Sequence, residues 1–96
     1  MTISDLIKEK REEILRLAAK HGAYNVRVFG SVARGEAGPE SDVDFLIEAG
    51  PHRTPWFPAG LIIDLEELLR CKVDVVTEKG LRERIRDRVL KEAVPL

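Results

Sequence analysis

Residues 29–47 read FGSVARGEAGPESDVDFLI, and the fold turns on how this stretch is parsed. Its second half alternates. Val43, Phe45 and Ile47 fall on one side, and Asp42, Asp44, Leu46 and Glu48 on the other, which predicts a strand over 42–48. Upstream, Val26 to Phe29 forms a short strand that runs straight into Gly30-Ser31. Between the strands lie Gly35, Gly38 and Pro39, so 32–41 is mostly turn or loop, with room for one helical turn over Val32 to Arg34.

The flanks supply the remaining elements. Residues 4–21 predict one helix, with Ser4 as N-cap and Gly22 as its stop. Ile3, Ile7, Ile14, Leu17 and Ala18 share its apolar stripe, which Lys10 and Arg11 interrupt. Pro51, Pro55 and Pro58 make 49–59 a loop, which also carries the only tryptophan, Trp56, as a core-edge residue or a partner anchor. A helix follows over 61–70, then a strand over 72–77 and a last helix over 80–92. The expected order is helix, strand, strand, helix, strand, helix: an α/β (α+β) chain with a small β-sheet flanked by helices, in a single domain over 1–96.

Composition bounds the function. Hydrophobic residues make up 44% of the 96, enough for one core, and charged residues 34%. No apolar run reaches the roughly 20 residues of a spanning helix. Sixteen Lys+Arg against seventeen Asp+Glu leave a net charge of −1, so direct nucleic-acid binding is not expected. A lone cysteine, Cys71, and an N-terminus without an apolar run fit a cytoplasmic protein. Gln is absent and Asn occurs once, a balance that leans towards a heat-adapted source.

The chemistry concentrates around the opening stretch. Asp42 and Asp44 lie on one face of their strand, with Cα atoms about 7 Å apart. Like charges this close are costly unless a cation neutralises them, and all-oxygen ligation suits Mg²⁺. Asp74, in KVDVV, joins them if its strand pairs beside theirs. Three carboxylates can hold two metal ions, the arrangement of in-line phosphoryl or nucleotidyl displacement. Gly30 lets a triphosphate approach the backbone, the turn after it offers N–H groups to an anion, and the Ser31 hydroxyl can donate to phosphate. Arg34 and Lys79 are candidate charge neutralisers; Ser41 is a turn residue or a further phosphate ligand.

Taken singly, these features have ordinary explanations: a solvated strand face for Asp42 and Asp44, a turn for Gly30-Ser31, an edge-strand charge for Asp74. Their combination at this spacing does not. His21 and His52 lack partners at metal-ligand spacing and are expected to face solvent, Cys71 is expected to be structural, and the arginines of 82–88 a solvated helix face.

The G-S-x10-D-x-D pattern within 29–47, continued by LEELLRCKVDVVT at 65–77 and GLRERIRDRVLKEAV at 80–94, closely resembles the DNA polymerase β-like nucleotidyltransferase superfamily. The short length points to its minimal (MNT) branch. That resemblance implies the nucleotidyltransferase fold, a mixed three- or four-stranded sheet with helices around it. It implies ATP contacts at Gly30 and Ser31; Arg34 and Ser41, from their own chemistry, are further candidate nucleotide-binding positions. It implies two Mg²⁺ ions on Asp42 and Asp44, and Asp74 as the third carboxylate, beside the attacking hydroxyl. In this branch the enzyme often serves as antitoxin to a HEPN ribonuclease toxin, adding AMP to a toxin tyrosine. The alternative is an antitoxin or binding subunit that neutralises its partner by complex formation alone, and an oligomer is compatible with either.

Overall fold

A computed structural model of the chain describes residues 2–38 and 42–96. Two helices, α1 (Ile3–Glu9) and α2 (Arg11–Lys20), precede strands β1 (Ala23–Phe29) and β2 (Val43–Ala49). Helix α3 (Ala59–Leu69) leads to β3 (Val73–Thr77), a single 3₁₀ turn at Glu78–Gly80, helix α4 (Glu83–Glu92) and a short β4 (Val94–Pro95). The sheet order is β3-β2-β1-β4. β1 is antiparallel to both β2 and β4, whereas β2 and β3 are parallel, so the sheet is mixed as expected.

The single helix expected over 4–21 is two. Lys10, at φ −95° and ψ 11°, ends α1 and begins α2. The two charged residues that broke the apolar stripe mark a bend, after which α2 rephases to bury Ile14 and Ala18. Ser4 is not the N-cap. Thr2 is: its hydroxyl accepts from the Asp5 N–H, and the Asp5 carboxylate accepts from the Thr2 N–H, a reciprocal capping box. Gly22 does stop α2, at φ +87°. A Cβ there would come 2.1 Å from the His52 carbonyl, so glycine also lets the 50–58 loop pass.

β2 is the spine of the core. Val43, Phe45 and Ile47 are buried and pack with Val73 and Val75 of β3 against Ile14, Ala18, Leu61, Leu65 and Leu69 of the helices. Burying side chains of this size contributes about 1.5–3 kcal/mol each. Leu46 and Val89 are equally buried but stand outside that cluster, on the other sheet face. On that side the sheet carries Asp44, Asp74 and Val76 as well, by strand alternation.

The last helix starts three residues later than expected. The Thr77 hydroxyl accepts from the Gly80 N–H and turns the chain into the 3₁₀ segment first. Arg27 donates to the Glu78 carboxylate at 2.9 Å and Arg86 to the Glu78 carbonyl at 2.8 Å, fixing this turn to β1 and α4. β4 was not expected at all. Two residues, one of them proline, carry no periodicity, yet Val94 pairs with Val28 and Pro95 with Arg27.

His21 is not solvent-facing. It is 6% exposed, with Nδ1 2.6 Å from Thr54 Oγ1 and Nε2 2.7 Å from Asp64 Oδ2. Because a carboxylate accepts, Nε2 carries the proton towards Asp64. The ring thereby pins the 50–58 loop to α2 and α3, a role that partners 33 and 43 residues away hide from any local reading. His52 is exposed, as expected.

Candidate functional site

The site lies where β1 ends and β2 and β3 begin. Asp44 stands directly opposite Asp74 in the parallel ladder, so their Cα atoms are separated by the strand spacing, about 4.8 Å. The condition set on Asp74 is thus met: its strand is the neighbour of β2. On the other flank Phe29 pairs with Asp44, which brings Gly30-Ser31 beside the same carboxylate. Asp42, exposed, immediately precedes β2. Phe29, Asp44, Asp74, Leu81, Arg82 and Ile85 line an open cleft here, with α4 as one wall.

Gly30 has φ +75°, and a Cβ there would come 2.4 Å from Asp44 Oδ2. The left-handed turn favours glycine here, and the end of the Asp44 side chain lies against its open side. After it the chain makes one helical turn, in which the Arg34 N–H donates to the Gly30 carbonyl at 3.1 Å and the Glu36 N–H to the Ser31 carbonyl at 2.9 Å. Val32 is buried and anchors this turn, leaving Ser31 half-buried at its start.

Electrostatics single out Asp44. Burial pushes its carboxyl above the ordinary aspartate value, and the charges of Asp74, Asp42 and Glu92 push it further, against a smaller opposing effect of Arg34. The carboxylates are crowded in the sense that calls for a cation. As they stand, no three Asp, Glu, His or Cys groups among the described residues are gathered closely enough to hold a metal ion. This donor set fits Mg²⁺ in one particular way: a hard ion that completes its shell with water and substrate phosphate rather than an all-protein cage.

Of the other expected residues, Arg34 is half exposed and donates to Glu36 and Glu92, the latter at 2.6 Å. Lys79 is exposed in the 3₁₀ turn. Ser41 lies outside the described residues. Cys71 is half-buried, and burial raises its thiol above the ordinary value, as suits a structural residue. One participant went unread: Glu92, the last residue of α4, accepts from the Gly30 N–H at 2.8 Å. Its only sequence signal was an acid at a helix C-terminus, where the dipole disfavours one.

The nucleotidyltransferase domain family matches residues 7–96. A Methanocaldococcus jannaschii protein that bears the name of a protein adenylyltransferase is 38% identical over 88 residues, 92% of this chain and 95% of that one. Protein adenylyltransferase MntA of Thermococcus cleftensis is 37% identical over 99 residues, 93% of this chain and 95% of its own. A solved structure described as a minimal nucleotidyltransferase is 49% identical and superposes with a TM-score of 0.86, covering 100% of this chain and 97% of that one. A toxin–antitoxin structure with AMP-PNP shares the fold at a TM-score of 0.74 and 20% identity, over 88% of this chain and 69% of that one. No helix among the described residues is long and apolar enough to cross a membrane. The family match over residues 7–96 and the 49% identical minimal nucleotidyltransferase structure, on a four-stranded mixed sheet that sets Asp44 in register with Asp74 beside a glycine-serine turn, place the chain in the nucleotidyltransferase domain family, in its minimal branch.

Proposed function

We propose that this chain is a Mg²⁺-dependent protein adenylyltransferase of the cytoplasm that moves AMP from ATP to a tyrosine of a HEPN-type toxin and so acts as its antitoxin. The observation that carries the reading is the register of Asp44 with Asp74, with Gly30 pressed against the Asp44 carboxylate. On this reading the triphosphate donors of the Gly30-Ser31 turn act beside the metal-binding acids. The relatives named protein adenylyltransferases support the choice of reaction, and the toxin–antitoxin neighbour the kind of partner.

The chemistry is a single in-line displacement. The tyrosine oxygen forms a bond to the α-phosphorus of ATP, the bond from that phosphorus to the bridging oxygen breaks, and pyrophosphate leaves. Ser31 and the N–H groups of its turn hold the triphosphate, with Arg34 and, by its place in the sequence, Ser41 as further nucleotide ligands. Asp74, exposed on β3, faces the acceptor and takes the phenolic proton. Asp42, Asp44 and Asp74 would hold Mg²⁺, which when bound neutralises the charge gathered on the phosphates. Tyr24 is no acceptor within its own chain: it lies near the far end of β1, with the five residues Asn25 to Phe29 between it and Gly30.

A second reading, neutralisation by binding alone, is favoured by Trp56. It is 88% exposed and held at φ +65° on the loop that His21 pins, the posture of a partner anchor rather than of a core-edge residue. Co-expression with a HEPN-type toxin partner, followed by intact mass of that toxin, separates the two. Added AMP masses that vanish in Asp44→Asn are expected; growth rescued with the toxin unmodified overturns catalysis.

A further inference from the structure

We propose that Glu92 is a positioning residue of the nucleotide-binding turn, which makes the C-terminal end of α4 part of the nucleotide site. The inference rests on the nucleotidyl-transfer reading above and assigns a role to a residue that reading does not use.

The argument begins with the sheet edge. Along β1, Val28 and Gly30 are two residues apart and present their N–H groups to the same side, towards β4. β4 is only two residues long, and Val94 opposite Val28 is its first. The main chain therefore offers Gly30 nothing, just where the backbone turns away at φ +75°. Glu92 fills that step with its side chain: Oε2 accepts from the Gly30 N–H at 2.8 Å. The other oxygen, Oε1, accepts from Arg34 Nη1 at 2.6 Å. One carboxylate thus grips the first residue of the turn and the last residue of its helical segment, with Ser31 between them. The Glu92 side chain is 16% exposed against 49% for Arg34, so the pair is anchored from the protein side.

Gly30 is held from both flanks. The Asp44 carboxylate lies against one side, and Glu92 ties the other. Ser31 then starts from a fixed point relative to the acids on β2 and β3. A turn released from Glu92 keeps its own hydrogen bonds but loses its reference to the sheet.

The test compares the intact chain with Glu92→Ala and Glu92→Gln, by calorimetry with Mg²⁺ and AMP-PNP in the absence of any acceptor and by steady-state transfer to the toxin. Loss of the clamp should weaken AMP-PNP binding and raise KM for ATP roughly tenfold, less than the ~100-fold of a displaced reacting group. KM for the toxin should not change. Glu92→Gln retains an acceptor for Gly30 and should recover part of the loss. Should the alanine variant not fold, the glutamine variant with amide exchange at Gly30 carries the test, with faster exchange and weaker binding expected together. AMP-PNP affinity unchanged in the variants overturns the role. Tighter binding also overturns it, and makes Glu92 a competitor for the phosphate donors. A wild-type chain that binds no AMP-PNP refutes the nucleotidyl-transfer reading itself, an outcome distinct from equal binding by wild type and variants.

Discussion

Asp44 and Asp74 face each other across the β2–β3 ladder, and Arg34, itself ion-paired to Glu36 and Glu92, offsets only part of what opposes the charge on Asp44. Burial and like charge both oppose the ionised form of Asp44, so the pair costs stability that a neutral residue would restore.

Asp44→Asn should therefore stabilise the fold and abolish the chemistry at once. A raised folded-state carboxyl means that the native chain holds its proton more tightly than the unfolded one. Stability is then lost as pH rises through the window above the ordinary aspartate value of about 3.9. The variant should melt higher than wild type at neutral pH, with the difference closing as the pH falls towards about 4. Transfer from α-labelled ATP should drop at least ~100-fold. A variant of near wild-type rate would remove Asp44 from the metal site.

Gly30→Ala should fail differently. Left-handed backbone costs a non-glycine residue about 1–2 kcal/mol, and the new methyl would meet Asp44 Oδ2. Chemical denaturation should show a loss of at least that size, with weaker ATP binding. A stable variant with full activity would mean that the turn does not need the Asp44 contact.

His21→Ala removes two side-chain hydrogen bonds and leaves a cavity, for an expected loss of about 2–4 kcal/mol. The Asp64 carboxyl is held below its ordinary value chiefly by its hydrogen bond to His21. Its contribution is present above the ordinary aspartate range and lost as pH falls through the depressed value, so the variant should lose less stability in acid than wild type. Hydrogen exchange should speed up across 50–58. An unchanged loop would show that His21 is not its pin.

Ser31→Trp separates enzyme from binding module. A bulky ring should block the triphosphate while the half-exposed turn tolerates it. The variant should still bind its toxin, but the toxin should carry no added AMP and growth should stop.

Trp56→Ala probes the partner face. With 88% of its surface exposed, truncation should leave melting within about 0.5 kcal/mol of wild type. Toxin affinity should fall by at least ~30-fold, the mark of a buried aromatic anchor. Unaltered affinity would move the interface elsewhere.

Periodicity made the centre of this fold legible. Val43, Phe45 and Ile47, the leucines of α3, and Val73 with Val75 declared their faces, and Asp44 and Asp74 inherited theirs from the same alternation. Their register could be posed only as a condition, because strand order is a long-range property. Lys10 and Arg11 interrupt the apolar stripe, and such an interruption reads the same within one helix as between two. His21, Glu92 and β4 were invisible for one shared reason. Each is fixed by partners more than thirty residues away, and none falls on a repeating face.

The proline of β4 bears on how this protein keeps apart from its neighbours. β4 covers the outer edge of β1 at Arg27 and Val28, and Pro95 has no N–H to offer a further strand. The sheet is thereby closed to growth on that side by a single residue. Removing Val94 to Leu96 would lay bare an apolar ribbon through Val26 and Val28, the kind of free edge on which chains stack into aggregates. Val94 and Pro95 thus guard this edge of the sheet against pairing with another chain.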